Sequence, residues 1–71
     1  MDYENEKVNA LIEKWIHNER NRFILHRRFV DGIYIHEIIK EVSDQYGYIM
    51  SYRQVQRIIA KGSAIIFSKY E

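Results

Sequence analysis

The 71-residue sequence contains no cysteine, no proline and only three glycines. Missing thiols exclude disulfides, thiolate zinc ligands and cysteine nucleophiles. Without proline, and with glycine so sparse, no stretch has the composition of a flexible linker. No apolar run approaches the roughly 18 residues that a membrane-spanning helix needs. The opening MDYENEK is acidic where a secretory signal is basic, so the expectation is a cytoplasmic protein with no membrane partner. Internal repeats and low-complexity tracts are missing as well. Charge of one sign is also lacking: the total is only +1.

What is present is a globular balance. Apolar residues make up 46% and charged residues 30%, too much of the first for a disordered chain. The length suits one small domain, which buries only roughly 60% of its unfolded surface. Residues 1–71 are therefore read as a single domain.

The small total charge conceals a polarity. Residues 1–19 carry Asp2, Glu4, Glu6, Glu13 and Glu19 against Lys7 and Lys14, a balance of 2 − 5 = −3. Residues 20–71 carry nine lysines and arginines against Asp31, Glu37, Glu41, Asp44 and Glu71, a balance of 9 − 5 = +4. An acidic front with a basic remainder is the asymmetry of a chain that meets a polyanion. Two solvated faces are the plain structural alternative.

Apolar spacing predicts four helical segments. Val8, Leu11, Ile12, Trp15 and Ile16 form one helical stripe, with Asp2, Glu4 and Glu6 at the positive end of the helix dipole. A second segment runs from about Glu19 to Val30 and is stopped by Asp31-Gly32. The third spans about Ile35 to Gln45 on Ile35, Ile38, Ile39 and Val42, although Ile33–His36 also alternates like a strand. The fourth opens on a capping box, Ser51 with Gln54, and continues on Val55, Ile58, Ile59, Ile65 and Ile66 to about Ser68. Gly62 lies on that apolar face, where a glycine costs about 1 kcal/mol relative to alanine. Either the helix bends there or another element packs closely. A strand at 64–67 paired with 48–52 is the weaker alternative, so the fold class expected is all-α, a small four-helix domain. Trp15 and Phe23 are expected in its core.

The run Arg22-Phe23-Ile24-Leu25-His26-Arg27-Arg28-Phe29-Val30-Asp31-Gly32, followed by Glu37-Ile38-Ile39 and then Ser51-Tyr52-Arg53-Gln54-Val55-Gln56-Arg57-Ile58-Ile59, resembles sigma-factor region four. It is similar also to small phage transcriptional regulators of the ArpU and RinA type. The resemblance covers residues 20–70 and leaves 1–18 as an extra N-terminal helix. It implies a helix-turn-helix, with the serine-capped helix as the recognition helix and double-stranded DNA as the partner. Two features depart from the family. The stretch 43–50 is longer than the about 3–4 residues of a tight helix-turn-helix, so the turn is lengthened or the third helix runs on to Tyr46. Ile39 stands where a small residue is usual, and Tyr34 where a capping serine or threonine is common.

With Val55, Ile58 and Ile59 toward the core, Tyr52, Arg53, Gln56 and Arg57 fall on the opposite side. Arginine can donate two bonds to guanine, and glutamine can pair with adenine. By resemblance the four match base- and backbone-contacting positions. Gln54 is a weaker candidate because the capping box occupies it. Lys61 and Lys69 are placed to reach phosphates from further along the helix, and Arg20, Arg22 and Arg27 to touch the backbone flanking the groove. Arg28 is assigned a structural role, with its stem over the core and its charge toward Glu37 or Glu41.

Catalysis is not expected. His17, His26 and His36 are not spaced as a ligand set, and Glu13–His17 is a lone i, i+4 surface pair. No serine has a nucleophile context, and no glycine-rich phosphate loop exists. Neither a metal nor any other cofactor is implied. A different class remains, a protein-interaction module that binds RNA polymerase or another regulator without reading DNA. The six tyrosines favour it, since so small a domain cannot bury them all and exposed tyrosine suits interfaces. A homodimer would compensate for the low net charge by presenting two recognition helices about 34 Å apart.

Overall fold

The computed structural model describes residues 4–70; Asp2, Tyr3 and Glu71, which entered the charge and tyrosine readings, lie outside the described residues. The protein is all-helical. Helix α1 spans Asn5–Trp15 and α2 spans Glu19–Leu25, continuing through a π-helical turn at His26–Val30. Helix α3 spans Ile35–Tyr46 and α4 spans Tyr52–Ser68. Among the described residues there is no strand, so both strand alternatives are set aside.

Helix α2 organises the core because two consecutive residues, Ile24 and Leu25, are both fully buried. Successive residues on a helix point about 100° apart, so they enter different apolar clusters. Leu25 joins Val8, Ile12 and Ile16 of the α1 region and Ile66 of α4. Ile24 joins Ile38 and Val42 of α3, Met50 of the connection and Val55 of α4. Ile59 packs against both clusters. The 17-residue α4 therefore belongs to both halves, its first turns to the α3 side and its last turns to α1.

The end of the second predicted segment is helical but wider than expected. Asp31 N–H donates to His26 O at 3.1 Å, five residues back, and Ile33 N–H donates to Arg27 O at 2.9 Å. Gly32, at φ 69°, supplies the left-handed conformation that lets the chain reverse. Arg28 Nη1 donates to Ile33 O at 3.3 Å across the same turn.

Helix α3 runs one residue beyond the predicted Gln45. It ends at Gly47, whose φ of 77° and N–H bond to Ser43 O at 3.0 Å form a left-handed cap. The connection to α4 is thus Gly47–Ser51, 51 − 46 = 5 residues, with the first half of the 43–50 stretch absorbed into helix. Tyr34 precedes α3 without a side-chain capping bond. The capping box at α4 is complete: Gln54 N–H donates to Ser51 Oγ at 3.1 Å, and Ser51 N–H donates to Gln54 Oε1 at 2.9 Å.

Trp15 corrects an expectation. It is 36% exposed rather than in the core, while Phe23 is half-buried. Ile16 has already left helical backbone, at φ −104° and ψ 111°, and its buried side chain joins the α1 cluster. The indole is left at the edge, with Lys69 Nζ 4.5 Å and Lys14 Nζ 5.5 Å from the ring centroid. The two ends of the described chain are also tied. Glu4 N–H donates to the Tyr70 hydroxyl at 3.1 Å, and Lys7 Nζ lies 4.7 Å from the Tyr70 ring centroid.

Gly62 is buried within an unbroken α4 because Leu25 packs directly on it. A Cβ at this position would lie 2.5 Å from Leu25 Cδ1 and 3.1 Å from its Cγ. The end of a leucine is flexible, but this one is fully buried within the α1–α4 apolar cluster. Alanine gains about 1 kcal/mol of helix propensity, and overpacking a filled core costs about 1–3 kcal/mol. We predict that Gly62→Ala lowers stability by about 1 kcal/mol net, measured by urea unfolding. A neutral or stabilised variant would show that α2 can move away from α4.

Candidate nucleic-acid interface

The candidate residues of α4 occupy one outward face for a simple reason. Val55 is buried and Ile58 and Ile59 half-buried, so helical spacing turns Tyr52, Arg53, Gln56 and Arg57 outward, and all four are exposed. Lys61 is exposed one turn further on. Helix α4 contains Arg53, Arg57 and Lys61 and no acidic residue, an excess of three positive charges. Among the described residues none of these three cations has an ion pair or a side-chain hydrogen bond. Tyr52 is partly fixed by His36 of α3, with ring centroids 5.1 Å apart. The face can donate hydrogen bonds and offer positive charge, and α4 itself contributes no carboxylate to repel a phosphate.

The other predicted cations are engaged within the fold. Arg27 donates from Nε to Glu41 Oε1 at 2.7 Å and from Nη2 to Glu41 Oε2 at 2.6 Å. Its Nη1 donates to Asp31 Oδ2 at 2.9 Å. The partner of Glu41 is therefore Arg27, not the Arg28 assigned from sequence, because the widened turn sets Arg27 opposite α3 and sends Arg28 to the Ile33 carbonyl. Arg22 Nη1 donates to the Ile16 and His17 carbonyls at 3.0 and 3.1 Å, closing the end of α1. Arg20 holds Asn21 Oδ1 from two nitrogens, at 3.1 and 2.9 Å, and reaches the Tyr48 hydroxyl at 3.1 Å. Lys69 lies over Trp15. These residues brace the surfaces around α4.

The histidines likewise sit apart from one another in role. Glu13 meets His26 at 2.7 Å and not His17, since His17 lies beyond the end of α1 where the i, i+4 spacing no longer holds. Among the described residues, no group of three or more His, Cys, Asp or Glu side chains could hold a metal ion. Among them, too, no helix is long and apolar enough to cross a membrane.

Three features escaped the sequence reading. Arg20 joins Tyr48 across 28 residues, a contact with no local signal. Ile49, in the connection just before α4, is 81% exposed beside the half-buried Ile39. Arg57 and Lys61 flank a groove between α4 and α2; their i, i+4 spacing was the visible signal, but the groove depends on how α2 lies. No family model, no curated protein and no solved structure matches the chain.

The Arg27–Glu41 pair gives a pH dependence. The hydrogen bonds from Arg27 hold the Glu41 carboxyl below its ordinary value, outweighing the opposing effect of partial burial. A carboxylate whose folded pKa is depressed contributes stability at neutral pH that is lost as pH falls through the folded value. Glu41→Gln is therefore predicted to be less stable than the parent at pH 7, with the gap closing as pH drops below about 4. Thermal unfolding across that range checks it, and a gap independent of pH would contradict the pairing.

Proposed function

We propose that this protein is a sequence-specific DNA-binding transcriptional regulator of phage or prophage type. On this reading α3 and α4 form a helix-turn-helix with a lengthened five-residue connection, and α4 lies in the major groove. The observation that carries it is the outward face of α4: Tyr52, Arg53, Gln56 and Arg57 within two turns, exposed and without an acidic neighbour on the helix. Those side-chain types match what base edges require, two donors for guanine and a donor–acceptor pair for adenine. Lys61 follows along the helix to a phosphate. The capping box holds the first turn, where recognition residues act, in one geometry.

Arg20, Arg22 and Arg27 support the fold in this proposal, because each would have to give up intramolecular bonds before touching the DNA backbone. The protein is proposed to act in the cytoplasm. Pairing with a second copy, or contact with RNA polymerase, supplies the affinity that three free cations cannot.

One observation favours the interaction-module alternative. Tyr34, just before α3, and Ile49, in the connection to α4, are large hydrophobic side chains 76% and 81% exposed. A module that docks on a protein through them would bind with little dependence on salt, whereas DNA binding weakens steeply as salt rises.

Replacing Arg53 and Arg57 together by alanine is predicted to weaken specific binding by about 1–3 kcal/mol per lost base contact and to flatten base preference. Fluorescence anisotropy with a preferred duplex and its scrambled counterpart measures both. Unchanged selectivity in the double variant would overturn the assignment of α4.

A further inference from the structure

The groove of about 310 Å³ between α4 and the start of α2 has an apolar interior and a rim made of donors. Ile16, Ile58 and Ile65 supply apolar wall, over a floor where Leu25 packs on Gly62. Arg57, Lys61 and Asn21 supply the polar edge. Arg20 already engages Asn21 Oδ1, at 3.1 and 2.9 Å, so the Asn21 side chain offers the groove only its NH₂ donors. Arg57 and Lys61 are donors only, and among the described residues no Asp or Glu lines the groove. Four residues apart on one helix, the two cations repel each other, and an anion between them relieves that repulsion.

We propose that this groove binds a single-chain amphiphilic anion, a fatty-acid carboxylate of medium length. Its head takes charge-assisted hydrogen bonds from Arg57, Lys61 and Asn21, and its tail lies along Ile58 toward Ile65. The volume stands at the small end of the about 300–1,000 Å³ range of ligand clefts, which suits one chain and not a two-tailed lipid. The charge complementarity is one-sided: a cationic or hydrogen-bond-donating ligand finds no side-chain acceptor there. The site itself does not rest on DNA reading. On that reading of α4, an occupied groove withdraws Arg57 from DNA, so ligand and DNA exclude each other.

The test is titration of the full chain with decanoate below its micellar concentration, without DNA, followed by amide chemical shifts. The expected result is saturable one-to-one binding with shifts centred on Asn21, Lys61 and Ile65. Decanol, which keeps the tail but lacks the charge, is expected to bind about tenfold more weakly or worse. Lys61→Gln is expected to weaken decanoate about tenfold and to leave decanol unaffected. Ile65→Asp, at an exposed position outside the two buried core clusters, is expected to weaken both. Lack of saturation, equal affinity for decanol and decanoate, or shifts centred elsewhere would overturn the proposal. So would binding to phosphatidylglycerol vesicles without binding to monomeric decanoate. Because DNA is absent throughout, failure here leaves the DNA-reading proposal standing, and failure of the alanine double variant leaves this one standing.

Discussion

The seating of Leu25 on Gly62 is the contact on which the rest of the fold depends. Helix α2 has seven residues before its widened turn, too few to carry two separate apolar faces unless neighbouring residues serve different clusters. Ile24 and Leu25 do so, and Leu25 reaches its cluster only because α4 has no side chain at position 62. Complete burial of a leucine contributes about 1.5–3 kcal/mol, a large share of what a domain of this size can muster. The same contact sets the rotation of α4. Once Gly62 faces α2, Val55 and Ile66 face the core, and Arg53, Gln56 and Arg57 face water.

The charges divide along the same line. Arg20, Arg22, Arg27 and Arg28 all donate within the fold, and Lys7, Lys14 and Lys69 rest on aromatic rings. Lys40 lies 3.8 Å from Glu37. Arg53, Arg57 and Lys61 are without such a partner among the described residues, and all three lie on the acid-free α4. A total of +1 thus says little about the surface that a partner would meet. The sum is small because eleven lysines and arginines meet ten acids, while the cations without a partner among the described residues are concentrated on one helix.

Much of this was legible in the sequence, and the reasons differ by element. The capping box at Ser51 and Gln54 is a local signal and located α4 to the residue. Gly62 pointed to either a bend or a close neighbour, and only the placement of α2 decides between them. The widened turn at His26–Val30 was not readable, because α- and π-helical bonding have almost the same apolar pattern over five residues. That one turn moved the Glu41 partner from Arg28 to Arg27. Trp15 misled because its spacing fits the α1 stripe, yet the helix ends there and Ile16 fills the core instead. Outward exposure of Tyr52, Arg53, Gln56 and Arg57 followed from period alone, whereas the engagement of Arg20 and Arg22 depends on loops that periodicity does not describe.

The central claim is that the acid-free face of α4 reads base edges. Selection of bound sequences from a random DNA pool at two salt concentrations tests it most directly. The account predicts one enriched motif rich in guanine and adenine contacts, recovered at both salts and with lower yield at the higher. Retention of DNA at low salt with no enriched motif at either concentration would contradict it.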